Sequence, residues 1–472
     1  MTNRIMASAA PGPLEAYAQH FDTLFGRLNQ RDSLRRYLEG LLLPSERTKT
    51  LTALANTEPI VGAQQPAAQK LQWFLSESTW DVGAVTQRRI ELLRTDPSTA
   101  PSEDGVLVVD ETGDRKDGTR TAHVGRQYLA NLGKIDNGVV SVSTLWADAR
   151  VYYPLEVVPY TPAHHFEQGK SDPAFRTKPA IALALTERAV AAGIPFRAVV
   201  ADSFYGEHAG FISGLERLGV GYVAALKPSH AWWHQAGTPG SLSEAAKGAG
   251  WADAETSGDW VRVERVFRDG HPEDWWALEI VAGPYGPDQR RRAVVVTTDP
   301  SALPEHSTWY LATNLVASGD DERATPAQRP ADLAEIVRLY GLRMWVEQSY
   351  KQVKHRLGWS QYQVRSDRAI RRHWELVCCA FCFCWWAHGQ ELLLETRGFL
   401  PPHSNATAEE PVARGENTAG RVLAGDATPG ARLAGAVGAA EPLVAGLVGA
   451  APTARTSGTP GLALAWAGNT TV

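Results

Sequence analysis

Two aspartates directly follow short apolar runs that have the composition of buried strands. Asp110 comes after residues 106–109 (VLVV), and Asp202 comes after residues 197–201 (RAVVA). In an α/β sheet, ligand sites gather at the edge formed by the carboxyl ends of the strands. Two carboxylates held there could ligate a hard divalent cation such as Mg²⁺, which prefers oxygen ligands. Each aspartate taken alone could instead cap a turn or a helix.

A third acidic residue lies in a segment of helical character, residues 331–356. Tyr340, Glu347 and Lys354 are spaced seven residues apart, and Arg343 lies one turn before Glu347. Because seven residues is nearly two turns, the spacing predicts that all four side chains project from one face of a single helix. A carboxylate beside a phenol, a guanidinium and an ammonium suits a metal ion next to a phosphodiester. The alternative is an ordinary solvated face with ion pairs.

Three sequence patterns together resemble a large group of insertion-sequence DDE transposases. The pattern Tyr-x2-Arg-x3-Glu-x6-Lys resembles the signature around the group's catalytic glutamate; its residues are Tyr340, Arg343, Glu347 and Lys354. VVDETG around Asp110, with the following GRQYLANLGKIDN, resembles the first-aspartate region, and ADSFYGE at residues 201–207 resembles the second. The similarity covers roughly residues 10–395. One departure is Glu111, where the group commonly carries a second aspartate.

The resemblance implies an RNase H-like α/β fold and a catalytic triad of Asp110, Asp202 and Glu347. The implied cofactors are two Mg²⁺ or Mn²⁺ ions, which about 3.5–4 Å apart clamp the attacking and leaving oxygens of a phosphodiester. Asp110 would bridge the ions, and Asp202 and Glu347 would each hold one. The implied reaction is cleavage at the ends of a mobile element and strand transfer into target DNA. The implied partners are double-stranded DNA, with terminal inverted repeats, and a second copy of the chain.

Basic and aromatic residues are expected to contact that DNA. Although the whole chain has a formal net charge of −5, nine Lys and Arg residues between positions 338 and 373 face two acidic ones. Such a strip beside an acidic site suits a phosphate polymer. The expected DNA contacts are Tyr340, Arg343, Lys351, Lys354, Arg356 and Arg365. Trp232 and Trp233 could stack on a flipped base or pack in a core.

Hydrophobic periodicity predicts the elements that would position these residues. The predicted order is three strands, helix, strand, helix, strand. The strands are residues 106–109, 139–146, 152–155, 197–201 and 222–226, and the helices are residues 178–192 and 207–218. Gly193 and Gly219 are placed to end the two helices.

Five segments are predicted along the chain. They are an N-terminal helical segment (1–100), a first part of the core (101–228), a β-rich insertion (229–322), a second part of the core (323–397) and a tail (398–472). The helical segment, with helices in residues 14–56 and 69–78, is either a DNA-binding domain or an amphipathic bundle with a solvated basic face. The tail is dominated by Ala, Gly, Pro and Thr, so we expect disorder there. A frame-shifted remnant is one hypothesis for its origin.

Composition limits the class of protein. Hydrophobic residues make up 44% and charged residues 21% of the chain, which is typical of soluble globular proteins. Neither a signal peptide nor an apolar run of about 18 residues is visible, so a cytoplasmic, nucleoid-associated protein without a membrane span is expected. The four cysteines cluster in the apolar helix predicted at residues 369–395, which favours buried thiols over a zinc site.

Two other functions are compatible with the same residues. An RNase H-like nuclease would need the three acids without strand transfer. A catalytically inactive DNA-binding protein derived from a transposase would have no chemical reason to keep all three acids.

Overall fold

Five α-helices occur in the described N-terminal part of the chain, and residues 14–56 and 69–78 contain helices as predicted. A computed structural model describes residues 12–44, 47–57, 65–233, 239–267, 270–280, 291–319 and 329–396. The helices are α1 Gly12–Gln19, α2 Leu28–Leu42, α3 Leu51–Leu54, α4 Pro66–Ser76 and α5 Val82–Thr95. The predicted tail, residues 398–472, lies outside the described residues.

The helix α5 is absent from the predicted elements because a charged residue occupies its buried face. Its buried side chains are Val85, Arg89 and Leu93, four residues apart. An arginine in the middle of that row breaks the apolar period from which a helix is recognised. Arg89 is accommodated because Glu375 and two backbone carbonyls accept its hydrogen bonds.

The N-terminal helices pack around the long helix α12, Asp367–Thr396. They share one continuous hydrophobic cluster with the central sheet and with α12. Two hydrogen bonds cross this contact: the Tyr17 hydroxyl donates to the carbonyl of Cys379 at 3.1 Å, and the Tyr37 hydroxyl lies 2.7 Å from Nδ1 of His373. The helical segment and the core are therefore packed as one body through α12.

Ten strands of the described chain form one mixed sheet. The neighbours run in the order β2-β3-β1-β5-β6-β12-β11-β10-β9, and β4 also pairs with β3. The bounds are β1 Val106–Arg115, β2 Gly125–Leu129, β3 Lys134–Ala147, β4 Tyr152–Tyr160, β5 Ala198–Ala201, β6 Tyr222–Ala225, β9 Val261–Val266, β10 Pro272–Ile280, β11 Arg292–Thr297 and β12 Thr308–Thr313. A separate pair joins β7 Ala231–Trp233 to β8 Pro239–Ser241.

The first half of the sheet has the strand directions of an RNase H-like core. β3 is antiparallel to β1 and β4, while β5 and β6 run parallel to β1. The helices α6 Lys178–Ala191 and α8 Ala209–Arg217 lie between the parallel strands in sequence. Gly193 and Gly219 follow them with φ of 65° and 70°, the left-handed conformation that ends a helix. The predicted order of elements is confirmed, with β2 and the single turn α7 Ser203–Gly206 added.

The predicted insertion is β-rich, and its strands continue the main sheet. β12 pairs with β6 through three register pairs, so β9–β12 extend the core beyond β6. A second, smaller hydrophobic cluster lies on this half and includes Trp232, Trp260 and residues of the helix α9 Leu242–Gly248. Alternating side chains predict a strand but do not identify its neighbour, which is why this continuity is not readable from the sequence.

The apolar helix predicted at residues 369–395 is α12. All four cysteines are buried in it and unpaired, as expected for packing residues. Among the described helices, none is long and apolar enough to cross a membrane.

Candidate active site

Asp110 and Asp202 each come directly after the last aligned residue pair of two parallel strands. That pair is Val109 of β1 with Ala201 of β5. Asp110 continues β1, and Asp202 is the first residue after β5. Apolar residues fill the preceding positions of both strands, so the backbone that carries the two acids is rigidly packed. The sequence prediction that an acid directly follows a buried strand is confirmed for Asp202.

The prediction that the first strand ends at Asp110 is wrong. β1 continues to Arg115 because β3 remains paired with it, and Asp110 is aligned with Ser143 of β3. Only β5, on the other side of β1, ends after four residues. Asp110 therefore lies inside a strand, buried, at the level where its parallel neighbour ends.

Asp202 caps the single helical turn α7. Its Oδ1 accepts hydrogen bonds from the backbone N–H groups of Phe204 and Tyr205, at 3.1 and 3.4 Å. This is the usual role of an aspartate at a helix N-cap. The sequence analysis gave capping as the alternative to ligation. The contacts show that Asp202 caps the turn, and ligation by its carboxylate stays a prediction.

Glu347 lies in the helix α11 Met344–His355, which is separate from α10 Leu333–Gly341. The single helix predicted over residues 331–356 is therefore wrong at one place, the break at Leu342 and Arg343. Gly341 precedes the break, and glycine disfavours a helix because of its backbone freedom. Tyr340 belongs to the first helix, so the predicted shared face applies only from Arg343 onward.

Arg343 connects the carboxylates. Its Nη2 lies 3.5 Å from Oδ2 of Asp110, and its Nη1 lies 3.2 Å from Oε1 of Glu347. The Arg343 side chain is 19% exposed, whereas the Glu347 side chain is 55% exposed. Within the described part of the chain, no three His, Cys, Asp or Glu side chains form a ready-made metal site. Asp110 and Glu347 are thus linked through one guanidinium.

Burial and neighbouring charges both shift pKa values at the site. Burial raises the pKa of Asp110, the positive charge of Arg343 partly opposes that shift, and the negative charge of Asp202 adds to it. Burial also raises the pKa of the Tyr340 hydroxyl, which lies close enough to interact with Arg343 and both aspartates. The pKa of Asp110 is thus set mainly by burial, and the charges of Arg343 and Asp202 modify it in opposite directions.

Lys354 does not face solvent. Its Nζ lies 2.8 Å from Oδ1 of Asp114 and donates to the carbonyl of Gly113 at 2.9 Å. Asp114 is almost fully buried, so the ion pair anchors α11 to β1 just beyond Asp110. Contact of Lys354 with DNA stays a prediction.

The basic strip contains fewer solvent-facing cations than its composition indicates. At least five of its nine Lys and Arg residues contact protein carboxylates or carbonyls: Arg338, Arg343, Lys354, Arg371 and Arg372. Arg338, Arg356, Arg365 and Arg368 are exposed, and Lys351 is half-buried. The predicted DNA contacts Arg356 and Arg365 therefore lie on an accessible surface.

Of the two interpretations of the insertion tryptophans, core packing describes Trp232. Its ring is 1% exposed and belongs to the second hydrophobic cluster, so base stacking does not fit this residue. Trp233 is half-buried.

One set of polar residues beside the site was missed by the sequence analysis. Glu111 binds Lys178 and Tyr205, and none of the three was predicted to have a role. Lys178 could have been recognised from the sequence. A lysine in the first turn of a predicted helix is unfavourable next to the positive end of the helix dipole, which indicates that an acidic partner stabilises it.

Comparison with known proteins shows the family of the chain. The family model described as "DDE superfamily endonuclease" matches residues 20–264, and the one described as "Transposase DDE domain" matches residues 176–383. The chain is 32% identical over 352 residues to the "Probable transposase for insertion sequence element IS701" of Microchaete diplosiphon, covering 74% of this chain and 81% of that protein. The chain therefore belongs to the DDE-type insertion-sequence transposases.

Proposed function

We propose that the chain cuts DNA at the ends of a mobile element and joins the cut strand to target DNA. The catalytic residues would be Asp110, Asp202 and Glu347. The observation that supports the proposal is the register of β1 and β5, after whose last pair Asp110 and Asp202 follow, together with Arg343, which contacts both Asp110 and Glu347. Membership of the transposase family supports the choice of DNA as the substrate.

The residues of the site fit two divalent cations. DDE endonucleases generally depend on a divalent metal. The three side chains supply only carboxylate oxygens, which suit hard cations such as Mg²⁺ or Mn²⁺. Asp110, Asp202 and Glu347 interact with one guanidinium, that of Arg343, so the set carries negative charge that divalent cations could compensate. When bound, such ions activate the attacking oxygen and stabilise the leaving oxygen of a phosphodiester.

The side chains around the carboxylates would hold the DNA. Arg343 would turn from the carboxylates toward a backbone phosphate, and Tyr340 would lie against the backbone near the cut. Lys351, Arg356 and Arg365 would contact phosphates farther along, and Lys354 either joins them or positions α11 through Asp114. Trp233 is the remaining candidate for base stacking.

The substrate we propose is double-stranded DNA bearing the element's terminal inverted repeats, bound by a homodimer. The N-terminal helices would contribute to its recognition. Because the target is the chromosome, we place the protein in the bacterial cytoplasm at the nucleoid.

The experiment uses the purified chain, a supercoiled target plasmid and duplexes copied from the DNA on each side of the gene. With Mg²⁺, the wild type should cut the duplexes at a fixed position and join the resulting 3′-hydroxyl ends to the plasmid. Cutting without joining would favour the nuclease alternative. Binding of the duplexes without any cutting would favour the inactive DNA-binding protein and contradict the proposal.

A further inference from the structure

Glu111 follows Asp110 on β1 but has its own partners. Successive residues of a strand point to opposite faces, so its side chain leaves the sheet on the other side from Asp110. The Lys178 ammonium donates to Oε1 at 2.5 Å, and the Tyr205 hydroxyl donates to Oε2 at 2.7 Å. With both oxygens occupied, Glu111 is poorly placed to ligate a metal ion.

Tyr205 belongs to the same helical turn that Asp202 caps. A single turn such as α7 is not stable alone, since forming the first turn is the unfavourable step of helix formation. Its position must be fixed by neighbouring groups. On one side Gly206 is packed so closely on β6 that a Cβ there would lie 1.9 Å from the carbonyl oxygen of Ala225. On the other side the Tyr205 hydroxyl holds the turn to Glu111.

Lys178 compensates the charge of Glu111. It is the first residue of α6, where the positive end of the helix dipole disfavours a cation. Its side chain is 16% exposed, and the ammonium lies 5.5 Å from the centre of the Phe204 ring and 5.7 Å from that of Tyr160. The lysine is thus placed for Glu111, and the pair adds no net charge to the carboxylates nearby.

We infer that Glu111, Lys178 and Tyr205 form a positioning network that fixes Asp202 relative to Asp110. The chain of contacts runs from α6 through β1 to α7, and its last member donates its backbone N–H to the Asp202 carboxylate. The network thereby sets the affinity of the site for divalent cations without supplying a ligand. This inference rests on the proposed metal-dependent function.

The test measures Mn²⁺ binding by the electron paramagnetic resonance signal of free Mn²⁺, without DNA or turnover. Tyr205→Phe removes the hydroxyl while keeping the ring. We expect it to weaken Mn²⁺ binding about tenfold, the usual size of an effect from groups that orient metal ligands. Glu111→Gln should act similarly. Glu111→Asp keeps the charge but should not keep wild-type Mn²⁺ affinity, because its shorter side chain cannot reach both Lys178 and Tyr205.

The matched control is Glu156→Gln, which breaks the ion pair between β4 and Arg188 of the same helix α6. It should leave Mn²⁺ affinity unchanged. A purely structural role would lower the melting temperature in EDTA without changing the affinity of the folded protein for Mn²⁺. Unchanged Mn²⁺ affinity in Tyr205→Phe would contradict the positioning network but not the proposed function. Complete loss of Mn²⁺ binding in Glu111→Gln would also contradict the network, because it would make Glu111 a metal ligand. A wild type that binds no Mn²⁺ would contradict the proposed function itself.

Discussion

Arg89 and Arg343 are both held against carboxylates, and their surroundings differ. Arg89 is fully buried between α5 and α12, with two hydrogen bonds to Glu375 at 2.7 and 3.2 Å. The carbonyls of Pro154 and Leu155 accept further hydrogen bonds from it at 2.6 and 2.7 Å. Arg343 makes longer contacts, at 3.5 and 3.2 Å, with two different acids. The Nε atom of Arg343 is buried without a partner.

This difference distinguishes the structural pair of Arg89 and Glu375 from the candidate active site around Arg343. One cation with one anion and complete hydrogen bonding is how a protein interior tolerates charge. One cation among Asp110, Asp202 and Glu347 leaves negative charge that another cation could compensate. The presence of three acids around one cation is therefore the feature that identifies the candidate site.

The largest expected effect comes from removing one of the negative charges around Arg343. Glu347→Gln keeps the shape of the side chain and should lower DNA cleavage by roughly 1000-fold or more, because a bound metal contributes several kcal/mol to such reactions. DNA binding, measured by gel shift, should be largely retained. Glu187→Gln, on the exposed side of α6, is the control. Undiminished cleavage by Glu347→Gln would remove Glu347 from the active site.

Removing Arg89, the cation of the Arg89–Glu375 pair, should lower the stability of the fold and leave DNA cleavage unchanged. Arg89→Met leaves Glu375 buried and unpaired, so we expect the free energy of unfolding to fall by about 3–5 kcal/mol. The double variant Arg89→Met/Glu375→Leu should recover most of that loss. Urea denaturation measures both. If the single variant unfolds at the wild-type urea concentration, the pair is not the structural element described above.

A third buried group, His373, makes the stability of the fold depend on pH. Burial, with a contribution from Lys116, lowers the pKa of His373 to about 4 from its usual 6.5. The unfolded chain therefore binds this proton first as pH falls. The stability due to neutral His373 is fully present above pH 6.5 and is lost between pH 6.5 and 4, by about 3 kcal/mol. His373→Gln should show a smaller difference in unfolding free energy between pH 7 and pH 4.5; an equal difference would assign the effect to other groups.

The smallest effect is expected at an exposed cation. Arg365→Ala should weaken DNA binding at all sequences and reduce the slope of log affinity against log salt by about 0.9, the value for one phosphate contact. Arg262→Ala, on the exposed strand β9, should leave the slope unchanged if DNA contacts the strip and not the insertion. Equal salt slopes for the wild type and Arg365→Ala would show that DNA does not contact Arg365.

The comparison also explains what the sequence could predict. The order of strands and helices in the core follows from apolar runs and helix-ending glycines such as Gly193, whose causes are local. Pairing between distant residues has no local signal. Arg89 and Lys354 were therefore not recognised as partners of Glu375 and Asp114, and the charge of the basic strip was taken as more accessible than it is. Continuity of the insertion with the main sheet depends on contact between β6 and β12, which the alternation of side chains leaves open.

The most direct test of the central claim is the location of a metal ion. Crystals grown with Mn²⁺ and measured at wavelengths where manganese scatters anomalously would locate each ion. Our account predicts an anomalous peak in contact with the carboxylates of Asp110 and Asp202, with Arg343 moved away from Asp110. A peak that is absent there at saturating Mn²⁺, with Arg343 still between Asp110 and Glu347, would contradict it.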